Sequence, residues 1–119
     1  MDSKTVDDLL PLTAVDFLVL MILVDGEGHG YGIVQELARR THGKTRLLPG
    51  NFYAVLRRLI RDGLIAESVK RPAKDPDDKR RRYYCITPFG RQVASAEAER
   101  MQSLVREAAD RKLVGGETG

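Results

Sequence analysis

The spacing of apolar and polar positions changes several times along the chain, and each change marks an element. From Thr13 to Val24 the pattern is apolar nearly all round, and "AVDFLVLMILV" is interrupted only by Asp16. A buried first helix is expected there, with Thr13 as N-cap and Asp16 three residues on, as in a capping box. The run is 11 residues, roughly half of the ~20 needed to cross a bilayer, so it is read as a core helix. Glycines at 26, 28, 30 and 32 in "DGEGHGYG" then suit a C-cap and a turn. Ile33, Val34, Leu37 and Ala38 recur at amphipathic spacing and predict a second helix from Tyr31 to Thr41, closed by Gly43. In "LLPGNFYAVLRRLIRDG" a third helix is expected, opened by Pro49 and Gly50, with Asn51 as cap and Gly63 at its end. Phe52, Val55, Leu56, Leu59 and Ile60 mark its buried side. Asn51, Tyr53, Ala54, Arg57, Arg58 and Arg61 stand opposite, on a basic face with a polar and aromatic leading edge.

The period then shortens to two. "LIAESVKR" and "RRRYYCIT" read as strands, and "PAKDPDDK" between them is turn chemistry, so the pair forms a hairpin with a long basic tip. If Ile86 faces the core, Tyr84 and Arg82 share its side while Arg81, Tyr83 and Cys85 point away. That alternation leaves Lys79, Arg80 and Arg81 free near the tip and makes Arg82 the structural cation of the run. A long last helix is expected from Pro88 to Val114, with Thr87 as N-cap and Gly115-Gly116 after its end. Ala94, Ala98, Met101, Val105 and Ala108 are spaced 4, 3, 4, 3 along it, with Leu104 beside them. This is a heptad seam, which either packs on its own domain or meets a second subunit; at the end of the chain a second subunit is the more natural partner.

At 119 residues and 13.3 kDa the chain is expected to form one domain with an appended helix. Its 42% hydrophobic and 31% charged residues are ordinary for a folded protein. The net charge of +3 is mild, but its distribution is not. Between Arg39 and Arg82 there are 14 Lys and Arg against 5 Asp and Glu, while the remainder holds 6 against 12. That segregation points to a polyanionic partner for the middle third. The acidic start "MDSKTVDDLL" lacks the cations of an export signal, so a cytoplasmic setting is expected. Cys85 is the only cysteine, which rules out an intrachain disulfide and a cysteine metal cluster; it reads as a half-buried strand residue. His29 and His42 sit in turns with no carboxylate at ligand spacing, so both read as solvated and no metal or cofactor is expected. The glycine-rich turn fails the dinucleotide fingerprint, because Tyr31 stands where the third glycine would be and a helix precedes it. With no histidine dyad and no nucleophile motif, the chain is not expected to be an enzyme.

Three helices followed by a β-hairpin make the winged helix-turn-helix plan. The second and third helices form the helix-turn-helix and the hairpin the wing, which makes the fold mainly α with a small β-hairpin (α+β). An exposed helix fits the major groove with its N-terminal residues at base edges, and flanking cations neutralise phosphates. The sequence resembles the PadR-like transcriptional regulators over nearly its whole length. The resemblance is carried by "LTAVDFLVLMIL", "GHGYGIVQEL", "LLPGNFYAVLRRLIRDGLI" and "RRRYYCITPFGR", and above all by Gly30-Tyr31, Gly50, Tyr53, Leu56, Arg58, Leu59, Gly63-Leu64-Ile65, Arg82-Tyr83-Tyr84, Thr87, Gly90 and Arg91. It implies a dimeric, cytoplasmic repressor of an inverted-repeat operator, released in some members by a small molecule, with the last helix building the homodimer. Double-stranded DNA and a second copy are thus the expected partners, with a small-molecule effector of unknown identity and no membrane. Asn51 and Ala54 replace the small hydroxyl residue and the proline common in the family, so an operator sequence cannot be carried over.

The expected division is a winged helix-turn-helix domain over 1–87, a dimerisation helix over 88–114 and a flexible tail over 115–119. The DNA-facing candidates are Tyr31, Asn51, Tyr53, Arg57, Arg58, Arg61, Lys79, Arg80 and Arg81. Arg58 has an alternative role, pairing with Asp62 four residues on. The dimerisation candidates are Ala94, Ala98, Met101, Leu104, Val105 and Ala108. The competing class is a winged-helix module that binds proteins and never touches DNA; the two differ in the salt dependence of DNA affinity.

Overall fold

The structure, a computed structural model, describes residues 4–44, 49–68 and 82–115. A short 3-10 turn, Asp7–Leu9, precedes α1 (Ala14–Val24), β1 (Gly28–His29), α2 (Gly30–Arg40), α3 (Pro49–Arg61), β2 (Ile65–Glu67), β3 (Tyr83–Ile86) and α4 (Pro88–Asp110). The strands form one antiparallel sheet in the order β1-β3-β2, with Ile65 opposite Ile86, Glu67 opposite Tyr84, and Gly28 opposite Tyr84 on the other edge. The expected hairpin is β2–β3. A third strand, β1, lies where a plain turn was expected, because the backbone of Gly28 and His29 finds a partner in β3. Lys79, Arg80 and Arg81 lie outside the described residues.

The core is built around α1, whose Val19, Leu20, Ile22 and Leu23 are buried against Ile33 and Leu37 of α2 and Phe52, Leu56 and Leu59 of α3. Leu64, Ile65 and Tyr84 add the sheet, and Val93 and Ala94 add the first turns of α4. Fully burying side chains of this kind contributes about 1.5–3 kcal/mol each before the entropy of ordering them is offset. Ile60, expected inside, is 39% exposed, since it lies one step too far round α3 from the Phe52–Leu56–Leu59 stripe.

Local chemistry sets the helix ends. Thr13 Oγ1 accepts from Asp16 N at 3.0 Å, half of the expected capping box. The Asp16 carboxylate turns to Arg58 instead of closing the box. α3 already includes Pro49 and Gly50, so Asn51 sits within its first turn and is not its cap. At its other end Gly63, with φ 80°, completes a Schellman motif: Leu64 N donates to Leu59 O at 2.9 Å and Gly63 N to Ile60 O at 3.0 Å. The same motif ends α2, but His42 takes the left-handed position (φ 54°), and Gly43 N donates to Ala38 O at 2.7 Å. α4 closes at Asp110 rather than near Val114, with Lys112 left-handed at φ 61°.

The start of α4 is locked to the end of α3. Thr87 Oγ1 accepts from Gly90 N at 2.8 Å and donates to Gly63 O at 2.6 Å, while Thr87 N donates to Leu64 O at 3.0 Å. A Cβ on Gly90 would stand 2.1 Å from the Leu64 carbonyl oxygen, so only glycine permits this approach.

Candidate nucleic-acid interface

The outward face of α3 follows from its period. With Phe52, Leu56 and Leu59 turned inward, Asn51, Tyr53, Ala54, Arg57 and Arg61 are left exposed. Arg57 has no ion-pair partner among the described residues. Tyr31, 67% exposed on the first turn of α2, stands beside this face. On α3 the Tyr53 ring lies 5.9 Å from that of Phe52, and its hydroxyl sits close to Gly30 at the start of α2, where an added Cβ would stand 3.7 Å away.

A cleft of about 420 Å³ runs along this face between α3 and the sheet, lined among others by Tyr31, Tyr53, Arg57, Glu67, Arg82 and Tyr84. The N-terminus of α2 opens on it through Gly30 and Tyr31. The first turn of α2 carries no acidic residue, so the positive end of the helix is not neutralised within it. Burial, with Glu67 adding to it, pushes the Tyr84 phenol above its ordinary value.

His29, read as solvated, instead caps α2. Its Nδ1 accepts from Gly32 N at 3.1 Å, and its ring meets Tyr83 edge-on at 5.4 Å. A histidine at an N-cap has no distinctive sequence signal, and its aromatic partner is 54 positions away. Arg58 is only part-exposed and donates through Nη2 to Asp16 on α1. Asp62, its expected partner, takes Lys4 at 3.2 Å and lies 3.6 Å from Arg61. Arg82, expected to be structural, keeps 75% of its side chain exposed, and its pair with Glu67 at 3.2 Å is a surface contact worth about 1 kcal/mol or less. Tyr84 and Ile86 do face the core, and Cys85 is half-buried on β3. Among the described residues there is no cluster able to hold a metal ion, and no helix long and apolar enough to cross a membrane.

The seam on α4 divides. Ala94 is 8% exposed and serves the chain's own core, whereas Leu104 and Val105 keep 50% and 53% of their surface. Ala98 is exposed, and Met101 and Ala108 are half-buried.

Residues 19–96 match the model of the transcriptional regulator PadR-like family. The chain belongs to that family. A PadR-like regulator is not an enzyme, and the winged helix described above is the family's fold. The transcriptional regulator Rv3488 of Mycobacterium tuberculosis is 34% identical over 105 residues, covering 88% of this chain and 87% of the relative. A PadR family regulator of hypervirulent Clostridium difficile superposes with a TM-score of 0.67 at 21% identity, over 82% of this chain and 97% of that one. One from Eggerthella lenta gives 0.61 at 25% identity, over 86% and 83%.

Proposed function

We propose that this PadR-like regulator is a cytoplasmic, sequence-specific DNA-binding repressor that acts as a dimer on an inverted repeat. The observation that carries the reading is the exposed outward face of α3, where Asn51, Tyr53, Arg57 and Arg61 form a polar, aromatic and cationic surface on a helix whose other face is core. Asn51 and Tyr53, near the helix N-terminus, reach base edges; Arg57 and Arg61 follow along the groove. Tyr31, exposed on the first turn of α2, flanks the path of a phosphate strand along the cleft. Lys79, Arg80 and Arg81 add phosphate contacts from the wing, which raise affinity without reading sequence.

The dimer forms through the half of α4 beyond the core, where Leu104 and Val105 expose apolar surface and Ala98, Met101 and Ala108 continue the seam. Its two α3 helices then read half-sites about one helical turn, or a multiple of it, apart. A small-molecule effector that releases the operator belongs to this reading through the family alone.

The test is binding to fragments from upstream of the protein's own coding gene, against random DNA of equal length, over a range of salt. The expected result is preference for one upstream fragment, with log K falling by about 0.9 per log unit of salt for each phosphate neutralised. Equal affinity for all fragments would remove the repressor reading; absence of any salt-sensitive DNA binding would favour the protein-interaction module.

A further inference from the structure

Two charged residues are buried in the core among the described residues, Asp16 and Glu97, at 6% and 2% exposure. Both lie near the start of α1. The Glu97 carboxylate on α4 accepts from Arg100 Nε and Nη2 at 2.8 and 2.7 Å, and the nearby Leu12 N–H, just ahead of α1, helps to hold it below its ordinary value. Asp16, in the first turn of α1, accepts from Arg58 on α3. The Asp16–Arg58 pair therefore ties the head of α1, which packs along α4, to the helix that carries the exposed basic face. Apolar packing is non-directional and resists sliding or rotation of a helix weakly. A charge-assisted hydrogen bond from a planar guanidinium fixes direction. Only the Asp16 end of the pair is buried, Arg58 keeping 38% of its side chain exposed, and ion pairs of this kind add little net stability over apolar residues, so a role in positioning explains this one better than a role in holding the fold.

We infer that Asp16 and Arg58 are positioning residues that set the distance and rotation of α3 relative to α4, and thereby determine operator specificity. Arg58 is committed to Asp16 and is not a phosphate ligand. The inference rests on the DNA-binding reading above. In a dimer joined through α4, a shift of α3 against α4 moves both reading helices off their half-sites together. Random DNA, held through phosphates, tolerates the same shift.

The decisive variant is Asp16→Asn, because the two roles for Arg58 predict opposite signs. If Arg58 positions α3, operator affinity falls by about tenfold, random-DNA affinity and the salt slope stay unchanged, and the dependence on half-site spacing, tested with operators lengthened or shortened by one base pair, becomes flatter. If Arg58 were a phosphate ligand, freeing it from Asp16 would leave operator binding unchanged or tighter, and that result overturns the proposal. Arg58→Gln serves as the second variant, and decides alone if Asp16→Asn does not fold. The proposal expects loss at the operator with an unchanged slope; a slope lowered by about 0.9 per protomer, with uniform loss on all DNA, refutes it. Hydrogen exchange separates this idea from the proposed function. Faster exchange of α3 amides in Asp16→Asn is expected even if the wild type prefers no operator, and unchanged exchange sinks the positioning role by itself.

Discussion

Replacing Gly90 by alanine tests the joint that holds α4 against the end of α3. In an ordinary helix position the change would stabilise by about 1 kcal/mol, since alanine is the better helix former. Here the added Cβ would lie 2.1 Å from Leu64 O and 2.9 Å from Ile86 Cγ1. Restoring an ordinary C···O contact of about 3.3 Å requires the first turn of α4 to withdraw by roughly 1 Å. The obstructing oxygen also accepts from Thr87 N at 3.0 Å, and the Thr87 hydroxyl proton goes to the adjacent Gly63 O at 2.6 Å, so withdrawal strains both bonds. Overpacking at about 1–3 kcal/mol and hydrogen bonds at about 1 kcal/mol each give a net loss near 3 kcal/mol. For a domain of this size that lowers Tm by on the order of 15 °C. Thermal unfolding followed by circular dichroism at fixed protein concentration measures it, with Thr87→Ala as a milder control at about 1 kcal/mol. A Gly90→Ala protein that melts at or above the wild-type temperature would refute the close approach.

Three further outcomes are expected. His42→Gly should raise stability by up to about 1 kcal/mol in urea unfolding, because the left-handed position that ends α2 strains any residue with a Cβ. Hydrogen bonds from Arg100, helped by the Leu12 N–H, hold the Glu97 carboxyl below its ordinary value; a depressed carboxylate contributes stability above its unfolded pKa and loses it as pH falls through the folded one. The advantage of wild type over Glu97→Gln should therefore be full at neutral pH, on the order of 2 kcal/mol, and should fade below about pH 4. Val105→Glu should weaken self-association by at least tenfold in light scattering, since it places a charge among exposed apolar groups of α4.

What could be read in the sequence was local. The four helices, the Thr13 and Thr87 caps, the Gly63 stop and the β2–β3 strands each follow from a period or a short-range hydrogen bond within a few residues. What could not be read was decided at long range. β1 is two residues in a glycine-rich turn and exists only because β3 pairs with it. Asp16 finds Arg58 across 42 positions, although Asp62 is the nearer carboxylate in sequence. Glu97 has the sequence context of a surface acid and becomes a core residue only because α4 covers the head of α1. For the candidate site, the outward residues of α3 follow from its period, whereas the cleft beside them needs the sheet to be placed first.

The charge pattern shows the same division and can be tested directly. The excess of cations between Arg39 and Arg82 suggested a polyanion, but a count cannot separate paired from free charge. Arg39 and Arg40 are held by Glu36 and Asp25 at 2.8–3.1 Å, Arg58 by Asp16 and Arg82 by Glu67. On α3 Arg57 has no ion-pair partner among the described residues, and Arg61 is only loosely held by Asp62 at 3.6 Å. Between Arg39 and Arg82, the described cations without a close ion pair are thus Lys44 just beyond the end of α2 and, on the outward face of α3, Arg57 with Arg61 beside it. Arg57→Ala should reduce the salt slope of DNA binding by about 0.9 per protomer, while Arg39→Ala, which removes an equal charge from α2, should leave it unchanged. Equal reductions from both would mean that net charge, rather than this face, draws the protein to DNA.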